Sequence, residues 1–433
     1  MPLFQNKEKE KKAKTEAPNT LTPPVEELEE NGLQALEPEE PEKEVILNVM
    51  EIPIEYFEEL QPLIQDVNIT DVEFSSGDIW TIDISNTVRK RDDIHMTERQ
   101  IRTLAERINI SKASDFNNVN AVLETEAVTS TGENLRIEVL HHEYAQDGTE
   151  LYIRKTPAFA RLSAVEILKS GYASPEELSF LINAVKSNHS ILIAGEPGAG
   201  KTELGKFLSQ FIDKSEHVFV IEDTNEWHIK QLRPGLRNTS VIATTTGENA
   251  TQTYKQAISH ALRCNTNWLM ISEIRGEEVV DYLKAMSTGL SSITTLHASD
   301  IKQIPNRLKN MTSNTTERFR IENEVHQNNI IGMVIERQYA TGKRRISQIG
   351  YYQDEYDQNL CKKLFENHQM ITSFLTEEMV AKFKSRGIDN PFWNERVANA
   401  CEKEGIPFEK KEYPLIQKNK AVENVKTLKD IRL

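Results

Sequence analysis

Apolar residues fall into different rhythms along this chain. Between Ile46 and Lys155 the rhythm changes every few residues. Ile54, Phe57, Leu60, Leu63 and Ile64 recur at helical spacing, and Val67 to Ile84 reads as strands broken at Ser75-Ser76-Gly77-Asp78. Thr97 with Gln100 forms a capping-box signal that opens a helix through Ile101, Leu104 and Ile108. Leu135 to Leu140 and Glu150 to Arg154 read as strands around a loop containing Asp147-Gly148. Residues 46–155 are therefore expected to form a small α+β domain.

Thr156-Pro157 opens a linker with connecting helices, residues 156–189. One helix ends at Gly171, and the next begins Ser174-Pro175-Glu176-Glu177 with proline at its first position. From Ser190 to Tyr352, apolar strands alternate with amphipathic helices. The strand candidates are Ile191 to Ala194, Val218 to Glu222, Val241 to Thr244, Trp268 to Ser272 and Ser292 to Leu296. Such alternation predicts an α/β domain, 190–352, built on a covered and largely parallel sheet. Residues 353–433 read as a helical C-terminal extension, with helices at Glu377 to Ser385 and Phe392 to Glu404 and a Lys-rich end. Residues 1–45 are rich in Glu, Lys and Pro and offer almost nothing to bury, which predicts a disordered acidic tail that solubilises the chain or recruits a partner.

Composition narrows the class. The 433 residues suffice for two or three domains, and no apolar run approaches the roughly 20 residues of a membrane-spanning helix. The opening MPLFQNKEKEKKAK has basic residues with no apolar stretch behind them, so a cytoplasmic protein without a cleaved signal is expected. Cys264, Cys361 and Cys401 are widely spaced, which argues against a disulfide framework or a zinc knuckle. A net charge of −15 disfavours direct binding of nucleic acid.

One segment carries specific chemistry. Gly195-Glu196-Pro197-Gly198-Ala199-Gly200-Lys201-Thr202 follows an apolar strand and opens a helix, the context in which G-x-x-x-x-G-K-[ST] becomes a phosphate-binding loop. Gly195, Gly198, Ala199 and Gly200 let backbone N–H groups converge on phosphate oxygens. Lys201 spans the β- and γ-phosphates, and Thr202 ligates Mg²⁺. ATP or GTP is the implied ligand. Hydrolysis also needs acids at neighbouring strand ends, and two are in place: the strand ending in Glu222-Asp223 and the strand followed by Glu273. His297 closes a further strand, where a histidine can sense the γ-phosphate or move a proton.

Taken in order, the loop, Ile221-Glu222-Asp223, Ala261-Leu262-Arg263, Glu273-Ile274-Arg275-Gly276 and Thr294-Thr295-Leu296-His297-Ala298 resemble the boxes of the secretion ATPase superfamily. Its members serve type II and type IV secretion, conjugation and Tad-type pilus assembly. The resemblance covers roughly Asn68 to Met311, including Tyr152-Ile153-Arg154-Lys155 ahead of the linker. It implies a hexameric ATPase whose α+β N-terminal module and RecA-like module close around ATP and Mg²⁺ at the inner face of the membrane. Inner-membrane platform proteins are its implied partners. By position, Glu222 activates water and Glu273 is the Walker B acid acting with the metal. Arg154, with Arg263 or Arg275, neutralises charge on the γ-phosphate, and His297 reports nucleotide state. Ser272 stands where the family usually has glycine, Leu290 stands where a histidine is common, and the tetracysteine insertion is missing. The two substitutions keep open a nucleotide-gated scaffold with little turnover. A nucleic-acid translocase on the same core is the third reading, although no strand-borne aromatic or basic platform for a single strand is evident.

Overall fold

The computed structural model describes residues 50–112, 116–243, 253–338, 341–355 and 358–417. The expected tail at 1–45, Thr244 of one strand candidate and the Lys-rich end from 418 lie outside the described residues.

The first sheet contains β1 (Met50–Ile52), β2 (Ile69–Ser75), β3 (Asp78–Asp83), β4 (Val88–Lys90), β5 (Val122–Thr129), β6 (Asn134–Leu140) and β7 (Glu150–Lys155), in the order β1-β5-β6-β7-β2-β3-β4. One face of it packs against the helix Glu98–Lys112 and the turn-plus-helix Ile54–Gln65. Ile54, Phe57, Leu60, Leu63 and Ile64 are all buried there, as their spacing predicts. Thr97 and Gln100 form the reciprocal cap, with Thr97 N donating to Gln100 Oε1 at 2.9 Å and Gln100 N to Thr97 Oγ1 at 3.4 Å. The strand β5 was not anticipated. Its inward residues are Leu123, Thr125, Ala127 and Thr129, so the buried face is too small and polar to register as an apolar alternation.

The linker region forms the two expected helices, Ala164–Ser170 and Pro175–Lys186, each opened by a serine–glutamate capping box. The second sheet follows: β8 (Ile191–Gly195), β9 (His217–Glu222), β10 (Arg237–Ile242), β11 (Trp268–Ile271), β12 (Ser291–Leu296), β13 (Ile331–Arg337), β14 (Arg344–Glu355), β15 (Gln358–Glu366) and β16 (Gln369–Met370). Their order is β10-β9-β11-β12-β8-β13-β14-β15-β16. Every pair from β10 to β13 is parallel and every later pair is antiparallel. The strands β8, β9, β11 and β12 are buried along their whole length, consistent with helices on both faces. This is a RecA-like α/β sheet.

The expected division at 352/353 falls inside β14, and β15 and β16 continue the same sheet. We therefore take the helical appendage to begin after Met370. Phe383 of its helix Glu377–Ser385 and Phe392, just ahead of its helix Glu395–Glu404, are buried against Phe180 of the connecting helix, with ring centroids 6.1 and 5.4 Å apart. Asn183 Nδ2 bonds the carbonyls of Pro391 and Trp393, both at 2.9 Å, which fixes the appendage to the back of the sheet.

The helix Lys201–Ser209 is pressed against Trp227, whose ring is fully buried. A Cβ at Gly205 would lie 2.2 Å from that ring. Gly205→Ala gains about 1 kcal/mol in helix propensity but forces an overpacked contact that costs about 1–3 kcal/mol. A lowered thermal midpoint is expected in a denaturation scan; an equal or higher one would show that the ring yields.

Candidate active site at the phosphate loop

The parallel strands bring their carboxyl ends to one edge, and the site residues gather there. After Gly195 the backbone turns, and Gly200 adopts φ +89°, a left-handed conformation that lets the chain enter the helix at Lys201. Lys201 is only 8% exposed. Its Nζ donates to Gly195 O at 3.1 Å and Glu196 O at 3.2 Å and lies 3.1 Å from His297 Nδ1. The ammonium thus takes loop carbonyls as partners, and burial lowers its pKa while Glu273 opposes that shift.

His297 leaves β12 beside the loop. Its Nε2 is 2.8 Å from Glu273 Oε1, and its Nδ1 is 3.0 Å from Gly195 O. A neutral ring with Nε2–H toward Glu273 can accept from Lys201 at Nδ1. A doubly protonated ring would instead donate to Gly195 O and repel the lysine. The structure thus brings Lys201, His297 and Glu273 together. Arg275 joins them: its guanidinium donates to Glu273 Oε2 at 2.8 Å and Asp223 Oδ2 at 2.9 Å, and these acids hold its pKa above the usual arginine value despite partial burial.

Glu222 is placed differently from the sequence expectation. It is 1% exposed, and its Oε1 accepts from the backbone N–H groups of Glu226 and Trp227 at 2.8 and 2.9 Å. Burial pushes its carboxyl up to about 8 despite these two bonds. The physical reason is strand alternation: Glu222 shares a face of β9 with Val218 and Val220, which pack under the loop helix. The carboxylate that reaches the loop is Glu226, whose Oε2 accepts from Thr202 Oγ1 at 3.2 Å. Its signal was available, a second glutamate four residues after Glu222.

Arg263 is not brought to the site. The helix Tyr254–Ala261 returns the chain to the opposite edge of the sheet, where Cys264 O lies 2.9 Å from Nδ1 of His217, the first residue of β9. At ~3.3 Å per residue the two ends of β9 are ~17 Å apart. Arg154 is on β7 and pairs with Asp71 at 2.8 Å. Burial works against its charge, but Asp71 and Glu226 outweigh it. Sequence reasoning also missed Arg344 of β14. Its Nε donates to Gly198 O at 3.2 Å and its Nη1 to Ile84 O at 2.8 Å, tying the phosphate loop to the turn after β3.

Residues 58–384 match the family described as type II/IV secretion system protein. The chain belongs to that family. The family is one of ATPases, and the matched region includes every strand of both sheets except β1, so it takes in both the α+β module and the RecA-like domain. An uncharacterized protein of Bacillus anthracis is 28% identical over 256 residues, covering 58% of this chain and 55% of the relative. A putative conjugal transfer protein of Mycobacterium tuberculosis is 26% identical over 259 residues, covering 58% of this chain and 71% of the relative. The first of these matches thus spans little more than half of the relative's length. Among solved structures, the pilus retraction motor PilT with bound ADP superposes with a TM-score of 0.50 at 16% identity, covering 76% of this chain and 86% of that one. That likeness is one of fold.

Proposed function

We propose that this chain is an ATP-hydrolysing motor that works as a ring, six copies being the expected number. It would power secretion, conjugation or pilus assembly from the inner face of the cytoplasmic membrane. The observation that carries the reading is the convergence of Lys201, Thr202, Glu226, Glu273 and His297 at one sheet edge. Lys201 exchanges the carbonyls of Gly195 and Glu196 for the β- and γ-phosphates, and Gly198, Ala199 and Gly200 offer backbone N–H groups. Thr202 and Glu226 present a hydroxyl and a carboxylate, the few hard oxygen donors with which proteins hold Mg²⁺. Held by Thr202 and Glu226, the ion would supply positive charge to offset that of the phosphates. Glu226 orients the attacking water, and Glu273, steered by Arg275, sets the proton position on His297. Arg154 approaches from the N-terminal module. Glu222 holds the loop that presents Glu226.

No described helix is long and apolar enough to cross a membrane, so membrane contact is assigned to partner proteins of the apparatus. The net charge of −15 assigns nucleic acid no direct contact with this chain. The test is phosphate release by the purified protein with Mg²⁺, together with its native mass with and without a nonhydrolysable ATP analogue. Release that is lost in Lys201→Ala, and a six-copy mass stabilised by the analogue, are expected. Nucleotide binding without release would instead assign a nucleotide-gated scaffold.

A further inference from the structure

Asn225, Glu226 and Trp227 present three consecutive backbone N–H groups, and carboxylates take all of them. Glu222 accepts the last two. The first, Asn225 N, donates to Glu126 Oε1 at 2.9 Å. Glu126 belongs to β5 of the other sheet, 99 residues earlier in the chain, so the loop carrying Glu226 is held from both modules.

The register of the first sheet shows how Glu126 arrives there. Glu126 pairs with Arg136, Arg136 with Arg154, and Arg154 with Asp71, a single row across β5, β6, β7 and β2. The flanking residues Ala127, Leu135, Ile137, Ile153 and Val72 are buried in the module core, so the row lies on the opposite face. That face sets Glu126 against Asn225 and brings Arg154 within electrostatic reach of Glu226. One row of side chains therefore brackets the loop.

Burial raises the pKa of Glu126; the Asn225 N–H and Arg136 pull it back, and the like charges of Glu226 and Asp223 raise it again. A glutamine would accept the same N–H without that repulsion, so the contact requires the side-chain oxygen at this position and not its charge.

We propose that Glu126 is a positioning residue for the reaction: from the N-terminal module it fixes the loop that presents Glu226, so turnover depends on how that module is docked. The proposal rests on Glu226 as the acid that orients water. Two variants, Glu126→Ala and Glu126→Gln, test it in the full chain. Misplacing a catalytic group by about an ångström costs on the order of 100-fold, so Glu126→Ala is expected to lower kcat about 10- to 100-fold. KM and affinity for an ATP analogue should stay within about twofold, and Glu126→Gln should recover most of the rate. Added to Glu226→Gln, the alanine exchange should cause no further loss. Amide hydrogen exchange of the 223–228 segment should quicken in Glu126→Ala and return toward wild type in Glu126→Gln. Unchanged exchange in Glu126→Ala overturns the proposal whatever the activity. Wild-type turnover in Glu126→Ala overturns it too, provided Glu226→Gln is inactive. If Glu226→Gln turns over normally, the reading of Glu226 falls, while the exchange measurement still decides whether Glu126 holds the loop.

Discussion

Glu226→Gln is expected to lower kcat by about 10²- to 10⁴-fold, the range for loss of a positioned acid or base, with nucleotide affinity kept within a few-fold. The same exchange at Glu222 should cost less than about tenfold. Chemistry alone does not separate the two, because a carboxyl pushed up to about 8, as at Glu222, has a proton affinity suited to a base at neutral pH. Geometry does. Glu222 is 1% exposed and its Oε1 is engaged by two backbone N–H groups, whereas Glu226 reaches Thr202 beside the phosphate loop. At pH 7 Glu222 is largely protonated, so glutamine matches it in charge and offers the same accepting oxygen. The raised value also fixes a sign for stability. With a folded pKa of about 8 against an ordinary 4.5, the stability linked to protonated Glu222 is complete below about 4.5 and is lost as pH rises through 8. Glu222→Gln should therefore gain thermal midpoint over wild type at pH 8.5 more than at pH 6. Steady-state phosphate release and titration with a fluorescent ATP analogue check the catalytic half. Inactivity of Glu222→Gln with full activity of Glu226→Gln would reverse the assignment.

The contrast also marks how far a linear sequence carries such a site. The phosphate loop was legible because its chemistry lies in consecutive residues, and the strand before it and the helix after it supply the required context. The acids were legible as strand-end positions, but not as directions. Extending the two-residue period of β9 by one step would have put Glu222 on the face of Val218 and Val220, under the helix, and passed the role to Glu226. Arg263 failed for a similar reason. A helix joining two parallel strands must return the chain to the starting edge, so a residue just before β11 lies far from one just after it. The strands β14 to β16 were missed because antiparallel strands added to a parallel sheet break the strand–helix alternation used to find the others, and β15 carries Lys362 and Lys363 in its middle; β13 was missed although it follows a helix and pairs parallel with β8. Glu126 and Arg344 had no local signal. Their partners, Asn225 and Gly198, are 99 and 146 residues away; the contact between the two modules sets the first pair in place, and the order β8-β13-β14 within one sheet sets the second.

Arg154→Ala should lower kcat by about 10²- to 10³-fold or more, since an arginine that neutralises charge on a transferring phosphoryl group is worth about 10³ to 10⁵ in rate. Its present partner is no obstacle. The side chain is 59% exposed while Asp71 is 16% exposed, so their 2.8 Å pair is partly solvated and worth about 1 kcal/mol; a γ-phosphate can draw the guanidinium away, and its removal should not unfold the module. Position supports the same conclusion: Arg154 lies two strands from Glu126 in the row that faces the acid loop. Arg154→Lys should restore little, because an ammonium is a point charge on a flexible stem and cannot reproduce the two-pronged contact of a guanidinium with phosphate oxygens. Nucleotide affinity should change by less than about threefold in both variants, since the loop and Lys201 hold the ground-state phosphates and the arginine acts on charge that develops in the transition state. Single-turnover phosphate release measured beside equilibrium binding separates these effects. Wild-type release in Arg154→Ala would confine Arg154 to its pair with Asp71 and leave Arg275, the cation at the two strand ends, as the group that meets that charge.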